Sequence, residues 1–366
     1  MAQKRLNLGV VGANPNVGWA SRTHMPALAA LPDFDLAAVC TTKQESAEAA
    51  AQKYEARRAY WDYRALVADP EVDVVDVCVK VPYHHEIVMA ALEAGKHVYC
   101  EWPLGANTSQ AEEMASLAEK RGVHTMVGLQ ARGAPSIQHL RKIIDDGYVG
   151  RVLSATMTQL QPGLLQERSQ DATWRADKAA GANTLSISTG HCIDAFCYCV
   201  GMYSELAAIV DTLAPDWPME GGGTVRTNAP DHITVTGRLE NGAVATAEVG
   251  SIPWHGSGVR VEIYGTEGTI VGTAPQQMQF TGLRLLGAQR GETQLSEIEV
   301  PAELRRVPAE VPSGTPFNLA QMMRSFTEGI HSGKAAGPTF ADAVRNHRLL
   351  DAMERASSTG QVARVS

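Results

Sequence analysis

Leu6-Asn7-Leu8-Gly9-Val10-Val11-Gly12-Ala13-Asn14-Pro15-Asn16-Val17-Gly18-Trp19-Ala20 runs from a continuous apolar strand through a glycine-bearing turn into a helix. This is where a doubly wound α/β domain places a phosphate-binding turn. The usual G-x-G-x-x-G uses its second glycine to let the backbone approach a pyrophosphate. Here Asn14 takes that place, and one extra residue precedes Gly18. Read by itself, the turn fits an ordinary strand-to-helix connection equally well.

The rest of the N-terminal half tips the balance. Asp35 to Cys40, Val72 to Val79, His97 to Cys100 and His124 to Leu129 are further strand-like runs, separated by helical stretches. Short apolar strands alternating with amphipathic helices imply βαβ units in a parallel sheet covered on both faces. The second strand ends in Cys40-Thr41-Thr42-Lys43, where an NAD-binding domain normally carries a carboxylate for the ribose hydroxyls. Hydroxyls and an ammonium there suit a 2′-phosphate, so NADP(H) is expected ahead of NAD(H), which stays possible. Lys43 otherwise reads as a solvated residue opening a helix.

After Gly150 the pattern changes. Val152 to Gln159, Leu206 to Leu213, His232 to Leu239, Val244 to Val249, Val259 to Tyr264 and Thr269 to Val271 read as strands of an open, mainly antiparallel sheet. Asn241-Gly242 predicts a two-residue hairpin with φ > 0 at both positions. Gly265 to Gly268 is a second turn. Pro215 to Pro230 and Pro301 to Pro316 read as long surface loops, and helices at Phe317 to His331 and Phe340 to Ala356 close the chain.

Composition limits the partners. The 366 residues carry 32 Lys+Arg against 40 Asp+Glu, a formal charge of -8, with 44% hydrophobic and 20% charged residues. That is ordinary globular usage, which excludes a disordered, collagenous or coiled-coil chain. The acidic balance and the absence of a long basic cluster argue against nucleic acid or an anionic membrane as partner. No apolar run reaches the length of a membrane span. The opening Met1-Ala-Gln-Lys-Arg leads into a strand rather than a signal-peptide core, so a cytoplasmic protein with a small-molecule substrate is expected. Cys40, Cys78 and Cys100 end apolar runs and read as reduced core thiols, while Cys192, Cys197 and Cys199 lack zinc-ligand spacing; no metal site is expected.

Several separated segments together resemble the Gfo/Idh/MocA oxidoreductases. They are Thr23-His24-Met25-Pro26-Ala27-Leu28, the run His84 to Val98, Glu101-Trp102-Pro103, Gln130-Ala131-Arg132, Gly147 to Gly150, Trp174-Arg175, Gly190-His191-Cys192-Ile193-Asp194, and Gly265 to Thr269. Within that family the chain is similar to the branch containing the yeast galactose-regulon repressor, through Gly18-Trp19-Ala20, Thr23-His24, Glu101-Trp102 and Thr189-Gly190-His191. The resemblance implies a Rossmann domain over 1–129 and a substrate-binding and oligomerisation domain over 130–366. It implies a cofactor lying along Gly12, Asn14, Val17, Gly18, Trp19, Thr41, Thr42, Lys43, Val79, Lys80, His84, Glu101, Trp102 and Gln130. Trp102, Arg132, Trp174, His191 and Asp194 are then the expected substrate contacts, in a homodimer or homotetramer.

Two departures bear on chemistry. The family's usual Glu-Lys-Pro lysine is Trp102 here, and the aspartate usually found four residues before the catalytic histidine is Ile187. His191 remains as the expected general base, since an imidazole exchanges protons near neutral pH. Lys80, at the end of the third strand, is the candidate to replace the missing lysine, or a surface lysine snorkelling from the strand end. Trp102 and Trp174 offer aromatic walls. The leading expectation is hydride transfer between NADP(H) and a carbohydrate, polyol or related cyclic alcohol. A non-catalytic nucleotide-binding regulator and a redox-neutral lyase or epimerase are the alternatives.

Overall fold

The computed structural model describes residues 4–365. The chain forms two compact units, Met1–Gly133 with Arg306–Val344, and Ala134–Arg305 with Arg345–Ser366. The first break falls four residues beyond the expected boundary at 129. The return of Arg306–Val344 to the first unit departs from the expectation that everything after 130 belongs to the second.

Unit 1 is built on β1 (Leu6–Val11), β2 (Phe34–Cys40), β3 (Arg58–Tyr60), β4 (Val74–Val77), β5 (His97–Glu101) and β6 (Thr125–Gly128). All pair parallel in the order β3-β2-β1-β4-β5-β6, the doubly wound arrangement. The chain reverses direction between β1 and β4, and ligands of such sheets lie beyond the carboxyl ends of the strands at that point. The helices are α1 (Met25–Ala30), α2 (Gln44–Tyr54), α3 (Tyr63–Ala68), α4 (His84–Glu93) and α5 (Thr108–Arg121). α5 is capped by Asn107, whose side chain accepts from the Gln110 N–H, and ends at Gly122 with φ +65°. Leu8, Val10 and Val74 from the sheet share one core with Leu319, Met323 and Phe326, which come from a helix near the C-terminus.

Unit 2 holds α6 (Pro135–Asp145), β7 (Val152–Pro162), α7 (Gly190–Val200), β8 (Tyr203–Asp211), β9 (Asp216–Pro218), β10 (Thr224–Arg226), β11 (His232–Leu239), β12 (Val244–Ile252), β13 (Gly258–Gly265), β14 (Gly268–Ala274), α8 (Met278–Thr281), β15 (Arg284–Gln289), β16 (Ser296–Glu297) and β17 (Ala363–Arg364). Nine of these strands form one sheet, β16-β15-β14-β13-β7-β12-β11-β8-β17, in which only β7 and β12 pair parallel. Ile233 and Val235 of β11 point into the core while Thr236 is exposed, the alternation of a sheet covered on one face.

The helix that returns to unit 1 is α9 (Thr315–Ser332). The last helix, α10 (Phe340–Thr359), starts in unit 1 and runs on into unit 2.

The Asn241-Gly242 hairpin forms, but with a different turn. Gly242 has φ +86°, whereas Asn241 is not among the positive-φ residues. Gly242 N–H donates to the Leu239 carbonyl (2.9 Å) and Leu239 N–H to Ala243 (2.8 Å). That is a longer loop closed by one left-handed glycine. Asn241 also donates through Nδ2 to the Val200 carbonyl (2.9 Å), a tertiary contact that helps select this form. Pro215 to Pro230 is not a plain loop: β9 and β10 pair antiparallel within it, with Trp217 opposite Val225. All six cysteines are buried and free.

Candidate functional site

At the end of β1 the backbone turns sharply at Gly12, with φ +100°, and a Cβ there would lie 2.0 Å from the Cys78 carbonyl oxygen. Only glycine fits this close approach. The Gly12 and Ala13 N–H groups donate to the Cys40 carbonyl (2.9 and 3.3 Å), fastening the turn to the end of β2. Asn14 Oδ1 then accepts from the Asn16 and Val17 N–H groups (2.9 and 3.3 Å). This Asx turn is how the sequence manages without a second glycine. Gly18 has φ +101° and open space around its Cα, and Val17 is 64% exposed. Trp19 follows, and then one π-helical turn, Ala20–His24, where a plain α-helix is expected. The tight glycine, the exposed rim and the parallel strand ends fit a dinucleotide phosphate.

Beyond β2 the three residues Thr41 to Lys43 divide. Thr41 is buried and its hydroxyl donates inward to the Lys43 carbonyl (3.0 Å) and meets Ser46 Oγ at 2.6 Å. Thr42 and Lys43 are exposed, and Lys43 is the residue at which α2 begins. Beyond β4, Lys80 is exposed at the head of a short 3-10 turn, Val81–Tyr83. His84 is buried: Nδ1 lies 2.8 Å from the Pro103 carbonyl and Nε2 3.1 Å from that of Val79. Burial holds this imidazole below its usual pKa, with the two carbonyls pulling the other way. His84 thus ties the end of β4 to the chain beyond β5.

Glu101 and Gln130 are buried, and their polar atoms face each other. Gln130 Nε2 donates to both Glu101 oxygens at 2.8 Å. Glu101 Oε1 also lies 3.0 Å from His24 Nε2, while His24 Nδ1 is 2.7 Å from Asp76 Oδ2. Both ring nitrogens face carboxylate oxygens, and only an imidazolium can donate to both. Burial, the largest single influence, lowers the His24 pKa, but Asp76 and Cys78 together outweigh it and raise the value well above the usual one. This His24–Asp76–Glu101–Gln130 chain escaped the sequence reading. Its signal is there in Val74-Val75-Asp76-Val77: a carboxylate inside an apolar central strand needs a buried partner. Trp102 is buried beside the network at the end of β5, and Arg132 lies 3.5 Å from Asp342.

In unit 2, His191 and Asp194 are both buried in the first turns of α7. α7 continues a π-helical segment, Thr184–Thr189, begun by a capping box between Asn183 and Ser186. π-turns of this kind are frequent at functional sites. Asn346 of α10 donates to the Gly190 carbonyl (2.9 Å), which fixes the backbone next to His191. Trp174 and Arg175, both half-buried, lie in a 3-10 segment, Gln170–Ala176. The expected cofactor residues thus converge on the carboxyl edge of the unit 1 sheet, and the expected substrate residues Trp174, His191 and Asp194 lie in unit 2. No group of three or more His, Cys, Asp or Glu among the described residues is placed to hold a metal ion, and no helix among them is long and apolar enough to cross a membrane.

Residues 6–129 match the GFO/IDH/MocA oxidoreductase family with its NAD-binding Rossmann fold, and residues 137–271 match the family's C-terminal domain. The chain is 35% identical over 247 residues to dehydrogenase aclE of Aspergillus oryzae, covering 64% of this chain and 67% of that protein. It is 32% identical over 292 residues to levoglucosan dehydrogenase of Pseudarthrobacter phenanthrenivorans, 73% of each. To the galactose/lactose regulatory protein GAL80 of Saccharomyces cerevisiae it is 28% identical over 256 residues, 65% of this chain and 59% of that one. Among solved structures, levoglucosan dehydrogenase in complex with NADH and levoglucosan superposes with a TM-score of 0.85 at 26% identity, over 99% of this chain and all of that one. A Saccharomyces cerevisiae Gal80p super-repressor mutant, at 23% identity, shares the fold with a TM-score of 0.86 over 99% of this chain and 98% of that one.

Proposed function

The chain belongs to the Gfo/Idh/MocA family of oxidoreductases, and on that premise we propose that it moves a hydride between NADP(H) and a secondary alcohol of a carbohydrate, polyol or related cyclic alcohol. The observation that carries this reading is the Gly12 turn, whose backbone geometry leaves no room for a side chain at the carboxyl edge of the sheet. Relatives that act as dehydrogenases, one solved with NADH and levoglucosan, support the reaction class. Hydride chemistry belongs to the nicotinamide when it is bound. The chain's own residues bind, orient and move protons. The Gly12–Gly18 turn would hold the pyrophosphate, and Thr42 with Lys43, exposed where β2 ends, would take the 2′-phosphate that distinguishes NADP(H). His191 takes the hydroxyl proton on oxidation and returns it on reduction, and Lys80 assists by polarising the substrate oxygen. Trp102 supplies an apolar wall where family dehydrogenases carry lysine.

The test is a thermal-shift comparison with NAD+, NADH, NADP+ and NADPH, followed by an absorbance screen of sugars and polyols. A ligand at 100 times its dissociation constant stabilises by about 2.7 kcal/mol. Preferential stabilisation by the phosphorylated pair, with turnover of at least one alcohol, bears the proposal out; equal stabilisation by both pairs removes the NADP(H) preference. The replacements at Trp102 and Ile187 favour a second reading, a nucleotide-binding regulator without turnover. It predicts nucleotide stabilisation with no absorbance change on any alcohol. For assembly, Ile209, Val244 and Tyr264, 64%, 47% and 40% exposed, share the open face of the nine-stranded sheet and support a homodimer or homotetramer joined there.

A further inference from the structure

Ala176, Trp217 and Met219 form a small apolar cluster of their own within unit 2, joining the segment before α7 to the β9–β10 hairpin. Arg168 is clamped to this hairpin by its backbone, donating to the Pro218 carbonyl (2.9 Å) and accepting from Glu220 N–H (3.0 Å). Its guanidinium carbon lies 4.2 Å from the Trp217 ring centroid, and its Nε is buried with no hydrogen-bond partner. Arg175 lies next to Ala176, which packs in the same cluster as Trp217. Both arginines are half-buried, and among the described residues neither forms an ion pair.

A half-buried guanidinium with an unpartnered Nε, stacked on a ring and within reach of the Arg175 charge, is unfavourable unless something negative joins it. Burial first, and then the Arg175 charge, hold Arg168 below its usual pKa, and burial does the same to Arg175. Asp231 favours the Arg168 charge, but its two oxygens already accept from the Leu213 and Ala214 N–H groups at 2.8 and 3.0 Å. A buried donor without a partner on a stacked, immobilised guanidinium asks for an acceptor. The planar fork of arginine matches carboxylate and phosphate oxygens in pairs.

We propose that Arg168 and Arg175 form a subsite for an anionic group on the substrate, so that the molecule turned over is a sugar acid or a sugar phosphate rather than a neutral polyol. This rests on the reading of unit 2 as the substrate unit and narrows it. The Trp217 ring fixes the Arg168 plane, and the 3-10 segment holds Arg175 one residue before Ala176, which packs in the Trp217 cluster. The anion replaces the water each guanidinium has lost.

Isothermal titration at constant ionic strength with D-gluconate, inorganic phosphate and D-glucitol tests this. Saturable binding of at least one anion is expected, at least tenfold tighter than glucitol; the preferred anion separates a carboxylate substrate from a phosphate one. Arg168→Met and Arg175→Met should each weaken that binding tenfold or more, and Arg168→Lys should restore only part of it. Arg226→Met is the control, because Arg226 is an exposed cation on the same hairpin paired with Asp216 at 2.9 Å. NADPH stabilisation is read on every sample. A variant that keeps it is folded, and its loss in the parent protein would strike the nucleotide reading alone. Absence of saturation with both anions, or equal binding by Arg168→Met and the parent, overturns the subsite.

Discussion

His24 Nδ1 lies 2.7 Å from the Asp76 carboxylate, with both side chains wholly out of solvent. The pair links the π-turn that follows the Gly12–Gly18 turn to a central strand, and through Glu101 it reaches the end of β5. Removing one partner of such a pair leaves a buried charge uncompensated. His24→Gln is therefore expected to lower unfolding stability by about 3–5 kcal/mol in urea titration. The pH dependence has a definite sign. The folded pKa of His24 is raised, so its contribution is whole below the unfolded value of about 6.5 and is lost as pH rises through the higher folded value. The stability gap between parent and variant should narrow on going from neutral to alkaline pH. A gap that widens would contradict the imidazolium assignment.

The two glycines of the β1 turn should respond unequally. Gly12→Ala combines a disfavoured φ of +100° with a Cβ 2.0 Å from a carbonyl oxygen, so the backbone must move. Loss of several degrees in melting temperature and of nucleotide stabilisation is expected. Gly18→Ala meets no atom within 4 Å and carries only the φ penalty, about 1–2 kcal/mol, with nucleotide binding retained.

Lys43→Glu places a carboxylate where the 2′-phosphate would lie. NADPH affinity should fall tenfold or more, about 1.4 kcal/mol, while NADH affinity changes less. Titration of nucleotide fluorescence gives both constants, and an equal fall in the two would remove Lys43 from the specificity role.

His191→Asn retains a polar group of similar size but loses proton exchange near neutral pH. Turnover should drop by about 10²–10⁴ with nucleotide affinity unchanged. An unchanged kcat would leave His191 a structural residue of α7.

What the sequence disclosed followed from period and punctuation. Most of the parallel strands of unit 1 are predominantly apolar runs, and Asn241-Gly242 marks a hairpin whatever its exact turn. β3 was hidden because Arg58-Ala59-Tyr60 is three residues long at a sheet edge and opens with a charge. β9 and β10 were hidden because three residues give no alternation to read between Pro215 and Pro230. The cofactor residues that the resemblance implies stand at strand ends of unit 1, but neither resemblance nor position could tell that the Glu101 oxygens are already taken by His24 and Gln130. The Arg168 and Arg175 pair was invisible because the sequence carries no hint that Arg168 stacks on Trp217, a ring clustered with Ala176, the residue after Arg175.

The helix Thr315–Ser332 sets an order of assembly during synthesis. Leu319, Met323 and Phe326 complete the core around β1 and β4, and they leave the ribosome only after all of Ala134–Arg305 has been made. At about 5–20 residues per second the first strands wait on the order of ten to forty seconds for that helix. During this interval their apolar face is open to chaperones and to neighbouring nascent chains. A protein truncated at Gly133 lacks Leu319, Met323 and Phe326, so the core of unit 1 is whole only when residues 306–344 are supplied with it.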